Sequence, residues 1–138
     1  MALLLNIDVP DVEAGVRFYT TAFGLTAARR FGADVAELVG WPATVYLLTK
    51  PAGSVGAGAD VRRYDRHWTP VHVDVVVDDV DATVARAVGA GATLEVPAQD
   101  TPYGRIAMLA DPFGHGFCLL RFNDRGYDSL LDGADGAG

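Results

Sequence analysis

An internal repeat constrains the fold of this chain more than any other feature. The segment VPDVE, residues 9–13, matches VDDVD, residues 77–81, in the second half of the sequence. The similarity extends in pattern over the residues before and after each segment. A unit repeated once within a short chain predicts two similar structural modules that stack against each other.

Each copy of the repeat reads as a strand followed by a helix. Residues 3–9 and 71–77 alternate between apolar and polar side chains, a period of two that is typical of strands covered on one face. An apolar stripe with helical spacing follows the first strand, and another follows the second. The stripes consist of Val12, Val16, Tyr19 and Phe23 in the first copy and of Val80, Val84 and Ala87 in the second. Asp11 is the expected N-cap of the first helix and Asp78 or Asp79 that of the second.

Three short strands are expected after each helix. We predict them at 26–31, 35–39 and 43–49 in the first half, and at 93–96, 104–110 and 116–122 in the second. The order βαβββ, twice, predicts an α+β fold in which two curved mixed sheets surround a cleft and helices cover the outside. A single domain, residues 1–122, is expected, with module one at 1–50, a mobile linker at 51–69 and module two at 70–122. The tail, 123–138, is predicted to be partly disordered.

Composition narrows the classes of function. The formal net charge of −7 disfavours binding to nucleic acid, and it either attracts cationic small molecules or only keeps the protein soluble. The sequence contains no apolar run long enough to span a membrane, and its N-terminus lacks the basic segment of a signal peptide. A single cysteine, Cys118, excludes an internal disulfide. We therefore expect a cytoplasmic protein.

Several motifs resemble the vicinal oxygen chelate superfamily, which includes glyoxalase I, bleomycin-resistance proteins and extradiol dioxygenases. They are VPDVEAGVRFYTTAFGL in the first half, and VDDVDATVARAVGAGA and YGRIAMLADPFGHGFCLL in the second. The resemblance covers residues 3–122. It implies the paired βαβββ fold, often as a homodimer, but no particular activity, because the superfamily contains both metalloenzymes and metal-free binding proteins.

The resemblance also implies four positions for metal ligands. In this sequence they hold Leu4, Tyr46, His72 and Cys118. A leucine cannot coordinate a metal, tyrosine is an uncommon ligand, and a catalytic centre needs about three protein donors. His72 is therefore the only plausible ligand at a family position. Asp8 and Asp74 lie on the same strand faces, but at a depth that differs from the family's geometry.

The predicted ligand-binding set combines the cleft faces of the strands with one strand entrance. It comprises Asn6, Asp8, Tyr46, His72, Asp74, Tyr103, Arg105 and Cys118. Some members have a second interpretation. His72 either contacts a ligand or is a hydrogen-bonded core histidine, Cys118 is a small buried hydrophobe or a reactive thiol, and Arg105 is a carboxylate partner or a solvated residue.

Three further residues have interpretations of their own. His115 is expected to serve turn geometry in DPFGH, whereas Trp41 and Trp68 are stacking surfaces for a ligand or dimer contacts.

Three functions remain open at this level. The first is a metal-free protein that binds or sequesters a drug-like or metabolite molecule, without catalysis. The second is a lyase, isomerase or dioxygenase that depends on a divalent ion such as Zn, Ni, Mn or Fe. The third is a metal-free catalyst in which Asp74 or His72 acts as a general base on a small carbonyl compound.

Overall fold

The computed structural model describes residues 1–132 as two consecutive βαβββ modules. The first contains β1 (Leu4–Val9), α1 (Val12–Phe23), β2 (Thr26–Phe31), β3 (Val35–Val39) and β4 (Thr44–Thr49). A hairpin of β5 (Val55–Ala57) and β6 (Asp60–Val61) follows. The second contains β7 (Val73–Val76), α2 (Val80–Gly89), β8 (Thr93–Thr101), β9 (Gly104–Ala110) and β10 (Gly116–Phe122), and a short α3 (Asp128–Asp132) ends the described chain.

The two modules have the same sheet topology. The strand orders are β1-β4-β3-β2 and β7-β10-β9-β8, and in each sheet the first strand is parallel to its neighbour while the others are antiparallel. This confirms the predicted α+β class with two mixed four-stranded sheets. It also leaves β1 and β7 as edge strands, each hydrogen-bonded to one neighbour only among the described strands.

The helices begin where the sequence predicts them. Asp11 accepts a hydrogen bond from the backbone N–H of Glu13, and Asp79 accepts one from that of Ala82, so each carboxylate satisfies a free donor of the first turn. The helix α1 ends at Gly24, whose left-handed backbone (φ +68°) is the conformation that glycine adopts without strain.

One hydrophobic core joins the two modules. The helices α1 and α2 pack against each other, and the buried cluster draws side chains from both sheets. Along the leading strands the odd-numbered side chains face this core, with Val9 and Val75 buried, whereas Leu4, Asn6 and Val76 are exposed on the opposite faces. The alternation seen in the sequence therefore gives the correct orientation of both strands.

The segments between and after the modules are more ordered than expected. The predicted mobile linker forms the β5–β6 hairpin, which Arg62 fastens to β1 through an ion pair with Asp8 (Nε to Oδ2, 2.7 Å). The strand β8 continues to Thr101, beyond the predicted 93–96. Part of the predicted disordered tail forms α3, and residues 133–138 lie outside the described range.

Among the described helices none is long and apolar enough to cross a membrane.

Candidate functional site

A cavity of about 380 Å³ lies between the two edge strands, β1 and β7. Side chains of both strands form its walls, and α1, the β3–β4 turn and β10 complete it. The lining residues are Leu5, Asn6, Ile7, Asp8, Tyr19, Phe23, Trp41, Thr69, Val71, His72, Val73, Val75, His115, Gly116 and Phe117. The apolar walls and the few polar groups are typical of small-molecule sites, and the volume lies in their usual range.

Aromatic side chains form one end of the cavity. The Trp41 ring meets Phe23 edge-on at a centroid distance of 5.1 Å, and Phe117 packs against Phe23 at 5.4 Å. The Tyr19 ring contacts both Phe23 and Trp41. A cluster of rings packed mostly edge to face holds each ring in place, which prepares a preformed apolar wall for an aromatic ligand.

A buried hydrogen-bond network lies behind this surface. The carboxylate of Asp111, fully buried in the turn between β9 and β10, accepts a hydrogen bond from the Tyr19 hydroxyl on α1 (2.6 Å). Its Oδ2 also contacts Nδ1 of His115 (2.8 Å), and its Oδ1 accepts the backbone N–H groups of Phe113 and His115. Burial, followed by the charge of Asp111, raises the pKa of Tyr19 well above its usual value, so the hydroxyl keeps its proton and donates it.

His72, Asp74 and Cys118 come together on the second sheet. One ligand atom from each lies within 4.8 Å of the others, and His72 Nε2 is 3.2 Å from Asp74 Oδ1. Burial, followed by the Asp74 carboxylate, raises the pKa of the Cys118 thiol to about 11, which keeps it protonated at neutral pH. The parallel register pairs Asp74 directly with Cys118, which places Asp74 in this cluster beside the family positions His72 and Cys118.

These three donors do not fit a family-type metal centre. They all come from module two, whereas the family positions of module one hold Leu4, which is exposed, and Tyr46, whose hydroxyl donates to Glu37. A metal bound by His72, Asp74 and Cys118 would also have to displace the proton of a thiol that burial keeps neutral.

The predicted residue Tyr46 belongs to a separate charged cluster on the first sheet. Arg29 forms two hydrogen bonds with Glu37, at 2.9 and 2.6 Å, and the Tyr46 hydroxyl donates to the same carboxylate at 2.8 Å. These donors lower the pKa of Glu37 to about 2. The cluster satisfies a nearly buried carboxylate and does not line the cavity.

This cluster predicts a specific acid sensitivity. Because the folded-state pKa of Glu37 is depressed, its stabilising effect is complete above the unfolded pKa of about 4.3 and is lost as pH falls toward about 2. We expect the midpoint of urea unfolding to fall more steeply over this range in the wild-type protein than in Glu37→Gln. Parallel pH profiles of the two proteins would contradict the assignment.

The other predicted residues divide into two groups. Asn6, Asp8 and His72 line the cavity, with Asp8 also paired to Arg62. Tyr103 and Arg105 lie elsewhere, since the Tyr103 ring packs against Tyr127 at 5.2 Å and Arg105 forms ion pairs with Asp81 and Asp100. Neither of them lines the cavity between β1 and β7, and two carboxylates already engage the guanidinium of Arg105.

The sequence does not predict the network around Asp111. In the sequence, Tyr19 belongs to an apolar helical stripe and His115 to a turn. The only local signal is the spacing of Asp111 and His115 within DPFGH, which places both side chains on one tight turn. The third member comes from α1 and has no such signal.

Comparison with known proteins identifies the family. Residues 5–120 match the model of the glyoxalase-like domain, and the chain belongs to that family. The fold is also that of a glyoxalase/bleomycin resistance protein/dioxygenase family enzyme from Burkholderia phytofirmans (TM-score 0.68, 22% identity, covering 87% of this chain and 97% of that one). The resemblance seen in the sequence is confirmed.

Two curated relatives are named for a biosynthetic pathway. The chain is 44% identical to the anthracycline biosynthesis protein DnrV of Streptomyces peucetius and 36% identical to the anthracycline biosynthesis protein DauV of Streptomyces sp. (strain C5). Each match covers 94% of this chain and 44% of the relative, so the chain spans less than half the length of these proteins.

Proposed function

We propose that this chain is a metal-free binding protein that holds a flat aromatic molecule in the cavity between β1 and β7. The observation that carries the proposal is the cavity itself, in which apolar strand edges and packed rings meet a few polar groups. Binding there would remove aromatic surface from water at little conformational cost, because the rings are already held in place.

The charge and the relatives support a narrower class of ligand. Asp8 brings one carboxylate to the cavity, where Arg62 pairs with it, and the whole chain carries a formal net charge of −7. This field attracts a cation. An anthracycline with an amino sugar is both flat and cationic, and the two relatives are named for anthracycline biosynthesis. We therefore take an anthracycline-like molecule as the proposed ligand.

Replacing Trp41 tests the proposal. We expect Trp41→Ala to weaken the binding of daunorubicin about tenfold, because the substitution removes a ring from the cavity wall. The measurement is quenching of daunorubicin fluorescence in the presence of EDTA. The matched control is Trp68→Ala, since Trp68 is exposed and does not line the cavity. Equal affinities for the Trp41 and Trp68 variants, or no binding to the wild-type protein, would contradict the proposal.

The cluster of His72, Asp74 and Cys118 favours a second candidate, a divalent-metal-dependent enzyme with an atypical site. A bound ion would supply Lewis-acid activation of a substrate oxygen. Metal analysis of protein purified without chelator separates the two candidates. Stoichiometric Zn, Ni, Mn or Fe that is lost in Cys118→Ala would replace the first candidate by the second.

The homodimer and the cytoplasmic location remain predictions.

A further inference from the structure

The hydrogen bonds of Asp111 fix the proton positions around it. The two backbone N–H groups at Oδ1 can only donate, and the Tyr19 hydroxyl donates to Oδ2 at 2.6 Å. Three donors therefore point at this carboxylate, which accepts a hydrogen bond from each of them. The contact of 2.8 Å between Oδ2 and Nδ1 of His115 is then a hydrogen bond in which Nδ1–H donates.

This donation determines the tautomer of His115. In a neutral imidazole with its proton on Nδ1, the second nitrogen, Nε2, carries a lone pair and accepts hydrogen bonds. No hydrogen-bond partner of Nε2 is found among residues 1–132. The neighbouring Tyr64 ring contacts His115, but its hydroxyl donates to the backbone oxygen of Lys50 instead. Since His115 lines the cavity, Nε2 is the ring nitrogen left to contact a bound molecule.

We propose that His115, oriented by the buried Asp111, is a specificity-determining residue that accepts a hydrogen bond from a hydroxyl group of the aromatic molecule in the cavity. The chemical class selected is an aromatic compound with a phenolic hydroxyl. The inference rests on the proposed binding site. It adds the residue that recognises a hydroxyl group of the bound molecule. The same network links α1 of module one to the β9–β10 turn of module two. The orientation of the His115 ring therefore depends on how the two modules pack together.

The Asp111→Asn variant is the sharpest test because it reverses the tautomer with almost no change in shape. The carbonyl oxygen of the new amide can still accept the two backbone N–H groups. Its NH₂ group then faces His115 and donates to Nδ1, which forces the ring proton onto Nε2. Nitrogen-15 NMR of the imidazole rings is expected to show Nδ1–H in the wild-type protein and Nε2–H in the variant. This measurement needs no ligand. If His115 in the wild-type protein is the Nε2–H tautomer, the inference is overturned.

A matched pair of probes tests recognition directly. 2-Naphthol donates a hydrogen bond from its hydroxyl, whereas 2-methoxynaphthalene has the same rings and only accepts. We expect the ratio of naphthol affinity to methoxynaphthalene affinity, measured by fluorescence titration, to fall about fivefold from the wild-type protein to Asp111→Asn, the effect of one hydrogen bond. In the control His67→Gln, at a partly buried histidine outside the cavity, the ratio should not change.

Each outcome separates this inference from the proposed function. A ratio that is equal in the wild-type protein and in Asp111→Asn overturns the role of His115, and so does a failure of both naphthalene probes to bind. In either case the daunorubicin titration still decides whether the cavity binds anthracyclines. A fall in the ratio confined to Asp111→Asn supports the inference.

Discussion

Replacing Asp111 with alanine is expected to lower the free energy of unfolding by about 3–5 kcal/mol. The substitution removes the acceptor for four donors at once, the Tyr19 hydroxyl, the His115 ring and two backbone N–H groups in the same turn. Buried donors left without partners cost more than the net value of the bonds they formed. Urea unfolding followed by circular dichroism measures the effect, which we expect to be the largest of any polar substitution in the chain.

The matched control for this change is Asp111→Asn, which keeps the side-chain shape and an acceptor for the backbone groups. It should retain most of the stability that the alanine variant loses. Tyr19→Phe removes a single donor and should cost about 1 kcal/mol. A loss in Asp111→Ala no larger than that in Tyr19→Phe would show that the network contributes little to stability.

Gly114→Ala is expected to destabilise the protein by about 3 kcal/mol, for two reasons that act at one position. The backbone of Gly114 has a φ of +88°, in the left-handed region. A Cβ atom there would also lie 2.7 Å from the backbone oxygen of Tyr64 and 2.8 Å from that of Asp65. The connector between the two modules, residues 51–69, therefore packs directly on the turn that carries Asp111 and His115, and an added methyl group must push the two segments apart.

A second glycine, Gly53, separates the cost of the left-handed backbone from the cost of the steric contact. Gly53 has a similar φ of +82°, but an added Cβ atom would meet nothing within 4 Å. Gly53→Ala should cost about 1 kcal/mol, the conformational term alone. Thermal unfolding of both variants gives the difference that the close approach produces. Equal losses would show that the turn and the connector adjust without strain.

The Asp111 and Gly114 variants both test the turn between β9 and β10. The turn between β9 and β10 brings His115 to the cavity, receives a hydrogen bond from α1 and supports the connector. Substitutions that loosen it should therefore reduce both stability and ligand binding, whereas changes at the exposed end of the second sheet, around Arg105, should leave binding unchanged.

The sequence alone determined the architecture of this protein. The repeat of VPDVE in VDDVD, the alternation along residues 3–9 and 71–77 and the capping residues Asp11 and Asp79 are local patterns. Each depends on residues a few positions apart, so each can be recognised without knowing the tertiary structure. They predicted the order βαβββ twice and the side of each leading strand that faces the core.

Only the tertiary structure decided which polar side chains meet. The pairing of Asp74 with Cys118 follows from the register of β7 on β10, and the bond between Tyr19 and Asp111 joins residues 92 positions apart. Arg105 was predicted at the cleft but meets Asp81 of α2 instead. Such contacts depend on strand register and on how helices pack over sheets. Neither leaves a periodic signal in the sequence, because a shift of one residue changes every partner while the pattern of apolar residues stays the same.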